Sequence, residues 1–213
     1  SAQRLRAGYQ EGYALFKLEK SPEAITGLEK TRALAITAKS ESWVTRINYL
    51  LSECHVANKG LDKAEVALQS ALANLRGSSA VDAQYRLGTI KFNQEKWIEA
   101  QADFENFLRD NKQPEKEDAR IREAKFQVAR CLMEQQETNK ADKKFGDLSN
   151  GTDEVAGRAV FWKGRLYSRD GKYAQAANAL RSATDKEWYK KGFPAKGGKK
   201  APTIVADIDF EYA

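Results

Sequence analysis

Small and apolar positions recur along the chain at fixed offsets. Gly88 is followed twelve residues on by Ala100, sixteen on by Phe104 and nineteen on by Phe107. The same offsets join Gly12 to Ala24, Leu28 and Thr31, and Ser52 to Ala64, Leu68 and Ala71. They join Ala129 to Ala141, Phe145 and Leu148, and Gly164 to Ala176, Leu180 and Ala183. The five alanines fall 40, 36, 41 and 35 residues apart. Residues four and seven beyond an alanine share one helical face with it. The small anchor lets a neighbouring helix approach closely, and the alanine does the same early in a second helix. The pattern therefore predicts two packed helices per unit, and about five units. One pair cannot bury its apolar face alone, so pairs stack.

Breaks fall where such pairs need them. Ser21-Pro22-Glu23 reads as an N-cap, a first-turn proline and an acid at the positive end of a helix. Asn58-Lys59-Gly60 and Asp170-Gly171-Lys172 separate the two helices of the second and fifth units. Arg76-Gly77-Ser78-Ser79 reads as a C-cap glycine followed by an N-cap serine, and Gln113-Pro114 and Asn150-Gly151 end two further units. The predicted helices run near 3–18, 22–38, 42–58, 61–75, 80–94, 97–111, 115–136, 138–148, 153–170 and 173–187. No stretch before residue 203 alternates like a strand, so the predicted class is all-α.

At this point the chain resembles the tetratricopeptide repeat family, over roughly residues 3–187. Tyr85-Arg86-Leu87-Gly88 through Trp97-Ile98-Glu99-Ala100 to Phe107-Leu108 resembles the family signature, as does Gly164-Arg165-Leu166-Tyr167 through Gly171-Lys172-Tyr173 to Ala176. The place of the family's tryptophan holds Gly8, Asn48, Gln84, Lys125 and Val160, and the spacings reach or exceed 35 where the family unit is about 34. The resemblance implies a right-handed superhelical α-solenoid of about five pairs, near 3–38, 42–75, 80–111, 115–148 and 153–187. It also implies that partners bind a concave groove lined by the first helix of each pair.

Three residues before the anchors stand Tyr9, Tyr49, Tyr85, Phe126 and Phe161, all aromatic. Four residues after them stand Phe16, Val56, Phe92, Met133 and Ser168. These rows are seven apart and share a face, which the resemblance assigns to the groove. Aromatic and methionine side chains there suit a peptide or protein segment. The competing reading is that the aromatics merely pack between adjacent helices. One residue past the anchors lie Tyr13, Glu53, Thr89, Arg130 and Arg165, with Arg86, Arg158 and Arg169 expected nearby. The second half of the groove is then basic, fit for an acidic segment or a carboxylate held by forked hydrogen bonds. The alternative for the arginines is ordinary exposed charge. Heat-shock-chaperone-binding members use lysine and asparagine at set groove positions, and Tyr9 and Tyr13 stand in the first pair here, which argues against that clamp.

No catalytic constellation, metal site or cofactor motif is visible. The two cysteines, Cys54 and Cys131, each lie two past an anchor and two repeats apart, too distant for a disulfide that needs Cα atoms within about 7 Å. Both read as small packed residues. His55 is the single histidine, so it has no partner for a metal site or triad and reads as packed or capped. Glycine-lysine pairs lack the following Ser or Thr of a phosphate loop, and carboxylate pairs such as Glu115 and Asp118 are ordinary helix surface.

The chain has 213 residues and a net charge of +6. No apolar run approaches the length of a membrane span of about 18 residues or more. Residues 188–202 hold five lysines and no acid, and residues 203–213 three acids and no base, so the body carries only +4. Nucleic-acid binding is not implied by that charge. Residues 203–213 alternate Ile204, Ala206, Ile208, Phe210 and Tyr212 with Asp207, Asp209 and Glu211, which predicts an extended tail lying in a groove near Arg130 and Arg165. A truncated linker to another domain is the plainer reading. The chain starts at Ser1 rather than Met, which reads as a processed or recombinant start. The functional expectation is a non-catalytic scaffold holding a protein partner. Its alternatives are an RNA-reading helical-repeat protein and a regulatory fragment of a larger protein. The repeats are similar in style to bacterial cell-envelope assembly proteins, so periplasm and cytoplasm both remain open as compartments.

Overall fold

The computed structural model describes residues 1–111, 119–184, 186 and 190. Ten α-helices and no strand are found among them. The chain divides into two compact units, Ser1–Asn111 and Lys112–Ala213. The first holds α1 (Ala2–Lys17), α2 (Ser21–Thr37), α3 (Glu41–Ala57), α4 (Leu61–Leu72), α5 (Ser78–Asn93) and α6 (Trp97–Asp110). The second holds α7 (Ala119–Glu134), α8 (Thr138–Ser149), α9 (Glu154–Arg169) and α10 (Tyr173–Thr184). The extra spacing between the third and fourth repeats, at 112–118, and the tail 203–213 lie outside the described residues.

Within each unit, every helix packs on its neighbours in sequence, and α1 also meets α3 while α7 also meets α9. The repeat register explains this packing. All five anchors are buried, and so are all five alanines and the residues four and seven beyond each of them. The contact between them is direct. A Cβ placed on Gly12 would lie 2.5 Å from Cγ and Cδ2 of Leu28, and one on Gly164 would lie 2.7 Å from Cδ2 of Leu180. The anchor must be small because the side chain four past the alanine fills the space above it. Ala100 has no exposed surface. Ala100→Leu should overpack this seam and cost about 1–3 kcal/mol. An unchanged melting temperature would mean that the register is wrong.

The turn inside each pair is also repeated. The residue seven past each anchor adopts a left-handed backbone: Glu19 (φ 61°), Lys59 (59°), Glu95 (63°), Gln136 (64°) and Gly171 (72°). The next N–H then reaches back to a carbonyl of the preceding helix: Lys20 to Leu15 at 2.9 Å, Gly60 to His55 at 2.8 Å, and Lys96 to Lys91 at 3.0 Å. Glu137 to Leu132 and Lys172 to Tyr167, both at 2.9 Å, complete the set. These are the helix-ending bonds that favour glycine at the left-handed residue. Four of the five turns carry a side chain there instead, at a cost. Glu95→Gly or Gln136→Gly should therefore stabilise the fold by about 1 kcal/mol each, and Gly171→Ala should destabilise it comparably. Urea midpoints measure both signs.

Two expected caps shift by one residue. Lys20 rather than Ser21 caps α2, because the left-handed Glu19 closes the turn early. Gly77 (φ 60°) precedes α5 as its cap, and Ser78 is the first helical residue.

Candidate partner-binding site

The first helices of the pairs carry the rows singled out in the sequence. In the first unit, Tyr9, Phe16, Tyr49, Tyr85 and Phe92 are half-buried, while Tyr13 is 45% exposed. Tyr9 packs against Trp43 with ring centroids 5.8 Å apart, and Arg46 lies over the other ring of that pair at 5.4 Å. Lys17 lies 5.3 Å from the Tyr13 ring and 5.8 Å from Phe16. Further along, the Tyr49 hydroxyl donates to Asp82. Arg86 donates to the same carboxylate at 2.8 Å, pairs with Glu53 at 2.6 Å and covers the Tyr49 ring at 5.6 Å. Burial, then the Asp82 hydrogen bond, pushes the Tyr49 hydroxyl well above its ordinary pKa. This face is aromatic, and its Arg86 is matched by two acids.

Tyr85 and Phe92 also serve packing. Tyr85 sits 5.7 Å from Phe104 and 5.1 Å from Phe107, and Phe92 sits 5.0 Å from Trp97. Both rings remain partly exposed.

The second unit differs in chemistry. Arg130 stacks on Trp162 with its guanidinium carbon 3.5 Å from the ring centroid. Arg165 lies 5.5 Å from Trp162 and 5.7 Å from Phe161. Arg158 covers Phe126 at 4.1 Å and forks onto Glu123 at 2.7 and 3.1 Å. Arg169 donates to the Met133 carbonyl at 2.5 Å. Burial holds the Arg130 guanidinium below its ordinary pKa, against the pull of Glu134 and with repulsion from Arg158 and Arg165.

Two expected groove residues are corrected. Phe126 has no exposed surface and Met133 is 5% exposed, so neither ring nor thioether reaches a partner directly. Phe126 lacks a hydroxyl to hydrate; it packs edge-on to Phe145 at 5.9 Å under the Arg158 guanidinium. The Met133 carbonyl accepts from the Arg169 head group. Phe161 is half-buried, and Arg165 and Arg169 are exposed.

Sequence reasoning passed over Trp43, Trp162, Glu123 and Glu134. A signal was present. Glu123 and Arg158 stand at the same register, six before their anchors, and Glu134 and Arg169 both stand five after. Opposite charges at equal register on successive first helices meet across the pair.

Elsewhere in the first unit, Glu65, Lys91 and Asp103 are buried charged groups held in ion pairs. Lys91 meets Asp103 at 2.9 Å, and Lys96 meets Glu65 at 2.7 Å. Cys54 and Cys131 are buried, and burial pushes the Cys54 thiol up to about 11. His55 is buried as well, which lowers its pKa. Among the described residues no group of three or more His, Cys, Asp or Glu side chains is placed to hold a metal, and no helix is long and apolar enough to cross a membrane.

Solved structures share this fold. A Podosopora anserina protein of nearly identical TPR-like (tetratricopeptide-like) repeats superposes with a TM-score of 0.70 at 16% identity, covering 90% of this chain and 98% of its own. MamA from AMB-1 superposes with a TM-score of 0.64 at 16% identity, covering 87% and 92%. YrrB, a TPR protein with an unusual peptide-binding site, does so with a TM-score of 0.61 at 19% identity, covering 84% of each chain. The fold is that of a tetratricopeptide-repeat protein. No protein-family model matches the sequence, and no curated protein does. The TPR fold therefore stands on structure, with its register set by this chain's own anchors and alanines.

Proposed function

We propose that the chain is a non-catalytic scaffold that binds a protein segment along the first helices of its pairs. One observation carries this reading. The side chains three before and one after each anchor are mostly left partly exposed, and Tyr9, Tyr49, Glu53 and Arg130 meet a residue of the next first helix, whereas the alanine rows of the second helices are buried. Tyr9, Tyr13, Phe16, Tyr49, Tyr85 and Phe92 supply apolar contact in the first unit. In the second, Phe161 supplies apolar contact and Arg130, Arg165 and Arg169 supply charge, which suits an acidic segment. YrrB, a TPR protein with an unusual peptide-binding site, supports the reading that this fold can hold a peptide.

The chain's own residues 203–213, which lie outside the described residues, hold three carboxylates among apolar side chains and are one such segment. The test is fluorescence anisotropy with a labelled peptide of residues 203–212. It is titrated with the full chain and with a full chain in which Asp207→Asn, Asp209→Asn and Glu211→Gln remove the internal competitor. Binding is expected to the neutralised chain and to be weaker to the unaltered one, since a tethered competitor acts at about millimolar effective concentration. Equal binding to both would remove the internal segment as an occupant. No peptide binding at all, together with RNA binding that weakens steeply with salt, would overturn the scaffold reading in favour of nucleic acid. A place in the bacterial cell envelope rests on repeat style alone and is tested by fractionation.

A further inference from the structure

In the first unit, α2 and α4 both pack on α3 and leave a cleft between them. His55 of α3 lines two adjoining cavities there, of about 690 and 310 Å³, which also share Asp62 and Lys63. His55 stands two residues past Glu53, so it faces away from the first-helix rows. The residue is 7% exposed, and its ring makes no hydrogen bond or ion pair among the described residues. Burial, then Lys63 and Arg32 against the pull of Glu29, holds the imidazole below its ordinary pKa. Ile25, Leu61 and Val66 give the cleft apolar walls. Its cations are Arg32, Lys59 and Lys63. Arg32 reaches Asn48 at 3.4 Å, and neither lysine has an ion pair among the described residues. Of its acids, Asp62 accepts from Gln94 at 2.8 Å, and Glu29 is exposed.

The next pair shows what this place holds when the chain fills it itself. Lys91 stands three past Gly88, as His55 stands three past Ser52. It meets Asp103 at 2.9 Å and Glu99 at 3.4 Å. Those acids stand three past and one before Ala100, and the same two places around Ala64 hold Ala67 and Lys63. The turn differs as well. Lys20, Lys96, Glu137 and Lys172 follow the left-handed residue in the other pairs, whereas Gly60 does so here, at a φ of −91° that any residue adopts. The second pair thus lacks both carboxylates of the third, carries a cation in the place of one, and has no side chain at the turn beside His55. We propose that the cleft between α2 and α4 is a second binding site, for a carboxylate joined to a short apolar body. Lys63, Arg32 and His55 receive the carboxylate, and Ile25, Leu61 and Val66 the body. The site uses no residue of the first-helix face, so it stands or falls apart from the scaffold reading. An arriving carboxylate favours the imidazolium form of His55. Binding therefore raises the His55 pKa and, by linkage, tightens as pH falls through it.

His55 is the single histidine, so its ring-proton resonance reports on the cleft directly. The experiment follows that resonance by NMR in the full chain whose own three tail acids are neutralised. The probes are hexanoate, the blocked tripeptide acetyl-Ile-Asp-Ile-amide, hexanol and inorganic phosphate. Hexanoate and the tripeptide present the same chemistry from a free acid and from a protein side chain. At least one is expected to move the resonance saturably and to shift its titration to higher pH, and the tighter of the two identifies the source. Lys63→Glu, which gives this register the charge of Glu99, should weaken that probe by about tenfold. Lys30→Glu makes the same charge change on α2 outside the cleft and should weaken it by less than about twofold. Circular dichroism confirms the fold of both variants. No movement with either acid would overturn the site. Hexanol acting as strongly as hexanoate would reduce it to an apolar crevice, and phosphate acting as strongly as the acids would make it a general anion site; either would overturn the carboxylate assignment. Equal weakening by both lysine variants would reduce the effect to net charge and overturn it too. The 203–212 peptide should keep its affinity in Lys63→Glu, and losing it there would overturn the separation of the two sites.

Discussion

Phe104→Ala should lower stability by about 3–5 kcal/mol. The ring has no exposed surface and fills the space above Gly88, where an added Cβ would come within 3.1 Å of it. It also anchors the Tyr85 ring at 5.7 Å. Truncation leaves a cavity against a helix that cannot close in, because Ala100 and Gly88 already bring the two backbones as near as their sizes permit. Three other repeats place leucine at this register, namely Leu28, Leu68 and Leu180, and bury it equally well. Phe104→Leu should therefore cost less, about 1–1.5 kcal/mol. Urea unfolding followed by circular dichroism separates the two variants. If both cost the same, or the alanine costs under about 1 kcal/mol, the ring is not the keystone of its pair.

Asp153→Ala should cost about 2–4 kcal/mol through two separable losses. Its carboxylate caps α9 by accepting from the Ala156 N–H at 3.0 Å, and it receives Nη2 of Arg122 at 2.8 Å and Nε at 2.5 Å. Arg122 also donates to the Leu148 carbonyl at 3.2 Å, closing the end of α8. The carboxylate is 43% exposed but the arginine only 18%. The ion pair itself is therefore worth about 1 kcal/mol or less, and the larger part comes from the lost cap and from a mostly buried guanidinium left without its acid. Asp153→Asn keeps a capping oxygen and should recover about 1 kcal/mol of the loss. An asparagine variant as unstable as the alanine would assign the whole effect to charge.

The repeat was legible because its determinants are local and steric. A small anchor and an alanine twelve residues on leave few helix pairings open, and Gly12, Gly164 and their leucine partners meet as that spacing requires. The tail of each side chain was less legible. An aromatic three before the anchor can turn to solvent or slip under a neighbour, and what decides is the residue opposite. Tyr49 keeps its hydroxyl on Asp82 at the surface, whereas Phe126 has nothing to hydrate and lies against Phe145. The same holds for the arginines. Arg130 rests on Trp162 and Arg158 on Glu123, each on the neighbouring first helix, a relation that single-helix patterns do not contain. Trp162 escaped notice for that reason, although it is the platform on which Arg130 rests.

In the first unit each helix is braced chiefly by the helices just before and after it in the chain, so α1 has partners on one side while α3 and α4 are held on both. Such a chain has short-range topology, which favours rapid folding, and it opens from an end rather than all at once. Native-state hydrogen exchange should show the consequence as a gradient. Amides of α1 should exchange through local fraying, and those around Leu50, Leu51 and Leu68 only through opening of the whole unit. A segment lying along α1, α3 and α5 would then act as a splint, slowing exchange most in α1, where it is fastest in the free chain.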